Sequence, residues 1–174
     1  MEIIILQHIK VEDPGYIKDL MLSDKFNLTT IQLDEGETIP KNLDKFDGMF
    51  CMGGPMDTWM EKKYPWLIEE KKQIKNFVVN SKKPFLGFCL GCQLLGEVIG
   101  GKVEKSNPAE IGILNINFLK NKKNDIIFSD FPEKIKALQW HSYEVKGLEN
   151  NKDVTLLASS PSTKYQIFKY KNHA

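Results

Sequence analysis

Cys89 is the residue best placed for covalent chemistry. It stands in Gly87-Phe88-Cys89-Leu90-Gly91, with a glycine two residues before it and another two after. An apolar run entered through Pro84 precedes it, and Leu94, Leu95, Val98 and Ile99 follow at helical spacing. Strand, sharp turn and helix make an elbow that lifts the middle side chain above a sheet. Neighbours at both ±2 positions crowd in such a turn, and Gly87 and Gly91 relieve the clash. A cysteine attacks as its thiolate, and the oxygen it makes negative on its target needs hydrogen-bond donors. The N-terminus of the following helix favours both charges, and the Leu90 N–H is one donor. A second donor is expected from a neighbouring strand end. Gly53-Gly54-Pro55 closes an apolar run and lets backbone approach a ligand, although the same tripeptide also serves as a plain turn.

The elements that must position these residues alternate. Glu2–Gln7 holds the continuous apolar run Ile3-Ile4-Ile5-Leu6, the pattern of a central parallel strand. A helix opening at Pro14, a strand over Asn27–Leu33 and a strand over Phe46–Met52 follow. Pro65 starts a second helix, with Trp66, Leu67, Ile68, Ile74, Phe77 and Val78 on its apolar stripe. The order predicts an α/β fold, a flavodoxin-like doubly wound, mostly parallel sheet. After Gly101 the texture changes. Strands are expected over 103–105, 111–119, 135–145, 154–159 and 165–170, forming a small antiparallel β extension. No linker or repeat interrupts residues 1–174, which read as one domain.

Composition narrows the function classes. Apolar residues are 41%, charged residues 27%, and the net charge is +1, so no basic surface argues for nucleic acid or an anionic membrane. Lys120 to Lys123 read as a solvated turn. No window nears the apolar length of a membrane span, and no basic n-region precedes an apolar stretch at the start. The three cysteines, Cys51, Cys89 and Cys92, fit free thiols in a reducing cytoplasm. Cys89 and Cys92 form one C-x-x-C, but no second pair or histidine spacing completes a metal site. Cys51 and Cys92 read as small buried hydrophobes.

The motif Gly87-Phe88-Cys89-Leu90-Gly91-Cys92-Gln93 resembles the nucleophile motif of class I glutamine amidotransferase domains. CMGGPMDTW resembles their oxyanion strand. QLLGEVIGGKV, PAEIGI, LQWHSYEV and LLASS follow in the family's order, and the spacing is most similar to the stand-alone GMP-synthase-like type. The resemblance implies that Cys89 attacks the side-chain amide of glutamine, releases ammonia and forms a γ-glutamyl thioester that water hydrolyses. It implies Gly54 and Leu90 as oxyanion donors. It assigns Gly53, Gln93, Glu110 and His141 to substrate binding, although Gln93 also suits an exposed helix face and Glu110 a strand edge. It implies no cofactor and no metal. A glutamine or γ-glutamyl substrate and an ammonia-accepting synthetase are the expected partners. The same machinery would also suit a γ-glutamyl peptide hydrolase, or a binding and regulatory module that keeps the pocket.

A cysteine hydrolase needs a histidine held by a carboxylate. His8 ends the first strand on the side where ligands bind and reads as a pocket residue. His141 lies in Trp140-His141-Ser142-Tyr143-Glu144, which matches a family motif upstream of the catalytic one. In the family the catalytic histidine and glutamate come in a later F-H-x-E segment. His173 falls too early for it, with no glutamate after it. The resemblance therefore implies either a fragment that stops before its base or a protein that has naturally lost it, and in both cases a chain impaired as a glutaminase.

Overall fold

Ile4, Ile5 and Leu6 have no exposed surface at all, as a strand paired on both edges and covered on both faces requires. They lie in β1 (Glu2–Gln7), which pairs in parallel with β2 (Asn27–Gln32) and β3 (Gly48–Cys51), and β3 pairs in parallel with β4 (Phe85–Gly87). The computed structural model describes residues 1–174 in two compact units, Met1–Ile99 with His173–Ala174, and Gly100–Asn172. The first holds this sheet in the order β2-β1-β3-β4. That is the flavodoxin-like order, with its switch point between β1 and β3. Helix α1 (Tyr16–Ser23) lies between β1 and β2, α2 (Trp66–Ile74) between β3 and β4, and α3 (Leu90–Val98) follows β4. Met21 of α1 packs on Ile3 and Ile5 with Met52, and strand alternation sends Ile4 and Leu6 to the opposite face. The apolar stripe of α2 continues into a π-helical turn, Lys75–Asn80, which buries Phe77 and Val78, whereas Ile68, expected on the stripe, faces solvent one residue after the buried Leu67.

The second unit is a four-stranded antiparallel sheet in the order β6-β5-β7-β8, a larger addition than the small extension expected. Its strands are β5 (Lys102–Phe118), β6 (Lys134–Lys146), β7 (Val154–Ser159) and β8 (Ile167–Tyr170). The two strands expected over 103–119 are one, broken in register between Lys105 and Glu110, where Pro108 interrupts the alternation. Ile116, Phe118 and Ala158 form its core with Phe128, Ile135 and Ile167. On the same sheet Ile111 faces Trp140 and Ile113 faces Leu138, and all four are exposed.

One expectation about this unit fails. Lys120–Asn124 is a 3-10 turn, and Lys122 within it is buried. Its Nζ donates to the carbonyls of Ser129, at 3.2 Å, and Phe131. Loop carbonyls that turn inward need a donor, and the lysine supplies it.

Candidate active site

The elbow is built as its glycines require. Cys89 sits between β4 and α3 with φ 47° and ψ −102°, a region that costs a non-glycine residue about 1–3 kcal/mol. Phe88 N–H donates to Cys51 O at 2.9 Å, and Gly91 N–H is shared between Phe88 O at 2.8 Å and Met52 O at 3.2 Å. These bonds tie the turn to the end of β3. A Cβ at Gly91 would stand 2.1 Å from Cys51 O, and one at Gly87 2.6 Å from the Gly91 carbonyl carbon. Neither position admits alanine without moving backbone.

Gly53 and Gly54 follow β3 on the same sheet edge. A Cβ at Gly53 would lie 3.6 Å from the Cys89 Cβ, and one at Gly54 3.2 Å from a Leu90 methyl. The structure thus brings Gly53, Gly54, Cys89 and Leu90 together at the carboxyl ends of β3 and β4. Gln93 lies one turn along α3, and its N–H donates to Cys89 O at 3.0 Å.

Cys89 is the exposed thiol; Cys92 is partly covered and Cys51 buried. Desolvation of the sulfur pushes the Cys89 thiol above its ordinary pKa, and the Glu12 carboxylate adds to the rise; the Leu90 N–H acts the other way. Glu12 belongs to the site although sequence reasoning missed it. Its Oε2 lies where a Gly53 Cβ would come within 2.1 Å. Burial and the neighbouring Cys89 push Cys92 up to about 12, and burial followed by Glu70 raises Cys51 well above its ordinary range. Two of the three thiols are thus held as neutral groups. Cys51 packs as expected, at 0% exposure, but its Sγ also lies 3.4 Å from Glu70 Oε1.

His8 and Glu70 form a fully buried pair that no motif or spacing in the sequence joins. His8 Nε2 lies 2.8 Å from Glu70 Oε1, its Nδ1 lies 3.0 Å from Gly53 O, and the ring stacks on Trp66. Burial opposes the imidazolium, but the hydrogen bond and charge of Glu70, with the Gly53 and Met52 carbonyls, carry the His8 pKa above its ordinary value. With both ring nitrogens engaged, His8 is no base for Cys89. His173 Nε2 lies 2.9 Å from Val78 O.

Glu110 and His141 meet within the second unit. His141 Nε2 is 3.3 Å from Glu110 Oε2 and 3.1 Å from Gln139 Oε1, and its Nδ1 is 3.1 Å from Tyr143 O. Ser160 donates to Glu110 at 2.5 Å, and Gln166 Nε2 donates to the same carboxylate. Their juxtaposition follows from the β5–β6 register, which sets Glu110 opposite His141.

Relatives with this fold are known. The profile of the family described as glutamine amidotransferase class-I matches residues 17–173. The glutamine amidotransferase-like protein YfeJ of Salmonella typhimurium is 26% identical over 174 residues, 99% of this chain and 72% of YfeJ. A glutamine-hydrolyzing GMP synthase component of Picrophilus torridus is 32% identical over 126 residues, 72% of this chain and 61% of that protein. A glutamine amidotransferase of Thermotoga maritima has the same fold at a TM-score of 0.89 and 26% identity, over 99% of this chain and 73% of that one. With the matched profile running from β2 through the elbow to β8, the chain belongs to the class-I glutamine amidotransferase family.

Proposed function

We propose that Cys89 is the nucleophile of a glutamine amide hydrolase. Its thiolate attacks the side-chain carbonyl carbon of glutamine, and the resulting oxyanion receives N–H groups from Leu90 and Gly54. The C–N bond breaks, the amide nitrogen takes a proton from solvent and leaves as ammonia, and water hydrolyses the γ-glutamyl thioester to glutamate and frees the Cys89 thiol. The observation that carries this reading is the backbone of Cys89, held at φ 47° over the start of α3 with Gly53 beside it. Gln93, one turn along, is assigned to the substrate's reacting end. The substrate roles of Glu110 and His141 rest on the family resemblance; within their own unit the two side chains hold one another. Free thiols and relatives that belong to GMP synthases support a cytoplasmic setting and a synthetase as the acceptor of ammonia.

One observation favours a second reading. Desolvation of the sulfur and the Glu12 carboxylate beside it both disfavour the Cys89 thiolate. A family member that binds a γ-glutamyl ligand without turning it over would tolerate this arrangement. Ammonia release from glutamine decides, measured from pH 7 to 10. Turnover that rises with pH and vanishes in Cys89→Ala supports hydrolysis. Binding of glutamine without ammonia or a trapped thioester supports the second reading, and turnover that survives Cys89→Ala overturns both.

A further inference from the structure

The buried ion pair of the first unit touches the backbone that the proposed reaction uses. His8, Glu70 and Cys51 place three donor atoms within 4.8 Å of one another. A tetrahedral zinc ion with bonds of about 2.0–2.1 Å separates nitrogen and oxygen ligands by about 3.3 Å. The His8–Glu70 separation of 2.8 Å is a hydrogen bond instead. A carbonyl oxygen only accepts, so the Gly53 contact fixes a proton on His8 Nδ1. The ring is then oriented from its far side by Glu70 and on its face by Trp66, with ring centroids 5.4 Å apart.

The Gly53 carbonyl and the Gly54 N–H belong to one peptide unit. That peptide is trans, since the one cis bond of the chain is Asn107–Pro108. In a trans peptide the C=O and N–H point in opposite directions across one plane. Anchoring the carbonyl on His8 therefore sends the Gly54 N–H away from the imidazole, and that N–H enters no backbone hydrogen bond. Two adjacent glycines have many alternative conformations. Without an anchor the peptide could rotate and present its oxygen where a donor is needed.

We propose that His8, held by Glu70, is a positioning residue that locks the Gly53–Gly54 peptide with its N–H turned toward the developing oxyanion. This rests on the assignment of Gly54 as an oxyanion donor. A hydrogen bond to the carbonyl also polarises the peptide and strengthens its N–H as a donor. The role differs from general base catalysis, because His8 exchanges no proton with Cys89 or with substrate.

The test compares two reactions of one thiol. Iodoacetamide alkylates Cys89 by displacement and forms no oxyanion. L-glutamic acid γ-p-nitroanilide acylates it through a tetrahedral oxyanion: the C–N bond breaks and p-nitroaniline leaves with a proton. His8→Leu removes the anchor. His8→Asn keeps an N–H at the position of Nδ1. The expected result is acylation slowed about 10- to 100-fold in His8→Leu relative to alkylation of the same variant. In His8→Asn the loss is expected to shrink to about threefold. Equal ratios in wild type and His8→Leu, or no rescue by asparagine, would overturn the proposal.

The 15N–1H resonance of Gly54 separates this outcome from failure of the functional reading. A wild-type protein that alkylates but never acylates sinks the glutaminase reading. The clamp then stands if the Gly54 resonance moves in His8→Leu and returns in His8→Asn, and falls if it stays put. Should His8→Leu not fold, Glu70→Gln keeps the shape and weakens the hold on the ring. It must still shift the Gly54 resonance; an unmoved resonance overturns the part given to Glu70.

Discussion

Replacing Gly91 by alanine sets two effects of opposite sign against each other. Gly91 is the second residue of α3, and within a helix alanine is favoured over glycine by about 0.5–1 kcal/mol. The new Cβ, however, would stand 2.1 Å from Cys51 O and 2.7 Å from its carbonyl carbon. Both are backbone atoms, so no rotamer change relieves the overlap. The turn must withdraw from the end of β3 by about 1 Å to restore ordinary contact. That movement strains the Phe88–Cys51 bond of 2.9 Å and the Gly91–Met52 bond of 3.2 Å. Overpacking costs about 1–3 kcal/mol, and two weakened hydrogen bonds add about 1–3 kcal/mol. Less the helix gain, a net loss of about 1–5.5 kcal/mol is expected. For a chain of this size that is a fall of about 2–22 °C in melting temperature. Thermal unfolding followed by circular dichroism measures it. Gly100→Ala is the control, because nothing lies within 4 Å of its Cβ position and only its φ of +100° opposes the change. A Gly91→Ala protein that melts with wild type, or above it, would refute the claim that the elbow is clamped onto β3.

Three further outcomes follow from the charges around the thiols. Glu12→Gln removes a carboxylate that raises the Cys89 pKa, so the midpoint of its iodoacetamide rate against pH should move to lower pH; an unmoved midpoint would exclude Glu12 from the site. In native protein at pH 8, mass spectrometry after alkylation should find Cys89 modified and Cys51 and Cys92 intact, with all three modified in denaturant. The folded His8 pKa lies above its ordinary 6.5, so its contribution to stability is complete below that value and is lost as pH rises through the folded pKa. Urea unfolding should therefore show a gap between wild type and Glu70→Gln that is wider at pH 6 than at high pH, and a gap that widens with pH would contradict the pairing.

The parts of this protein legible in its sequence are those whose cause is local. Ile3 to Leu6 declare a central strand by being apolar on both faces, and the glycines around Cys89 declare the elbow because the clash they avoid is within the turn. His8 and Glu70 are 62 positions apart and declare nothing, since each alone is an ordinary polar residue; the doubly wound topology brings them together. Glu12 escapes for the same reason, reaching Gly53 from the connection after β1. Lys122 shows the opposite error. Its lysine-rich neighbourhood suggests solvent, yet inward carbonyls claim its ammonium group.

The exposed face of the β5–β6 pair bears on how this protein behaves in bulk. Along β6 the side chains on that face run Lys134, Lys136, Leu138, Trp140, opposite Asn117, Asn115, Ile113 and Ile111. One end is therefore hydrated and the other greasy, and Trp140 is 75% exposed. With a net charge of +1 there is almost no long-range repulsion to keep molecules apart. The colloidal stability of concentrated solutions then depends on short-range hydration of a few lysines, and sulfate or other salting-out ions should drive reversible self-association well before they affect the fold.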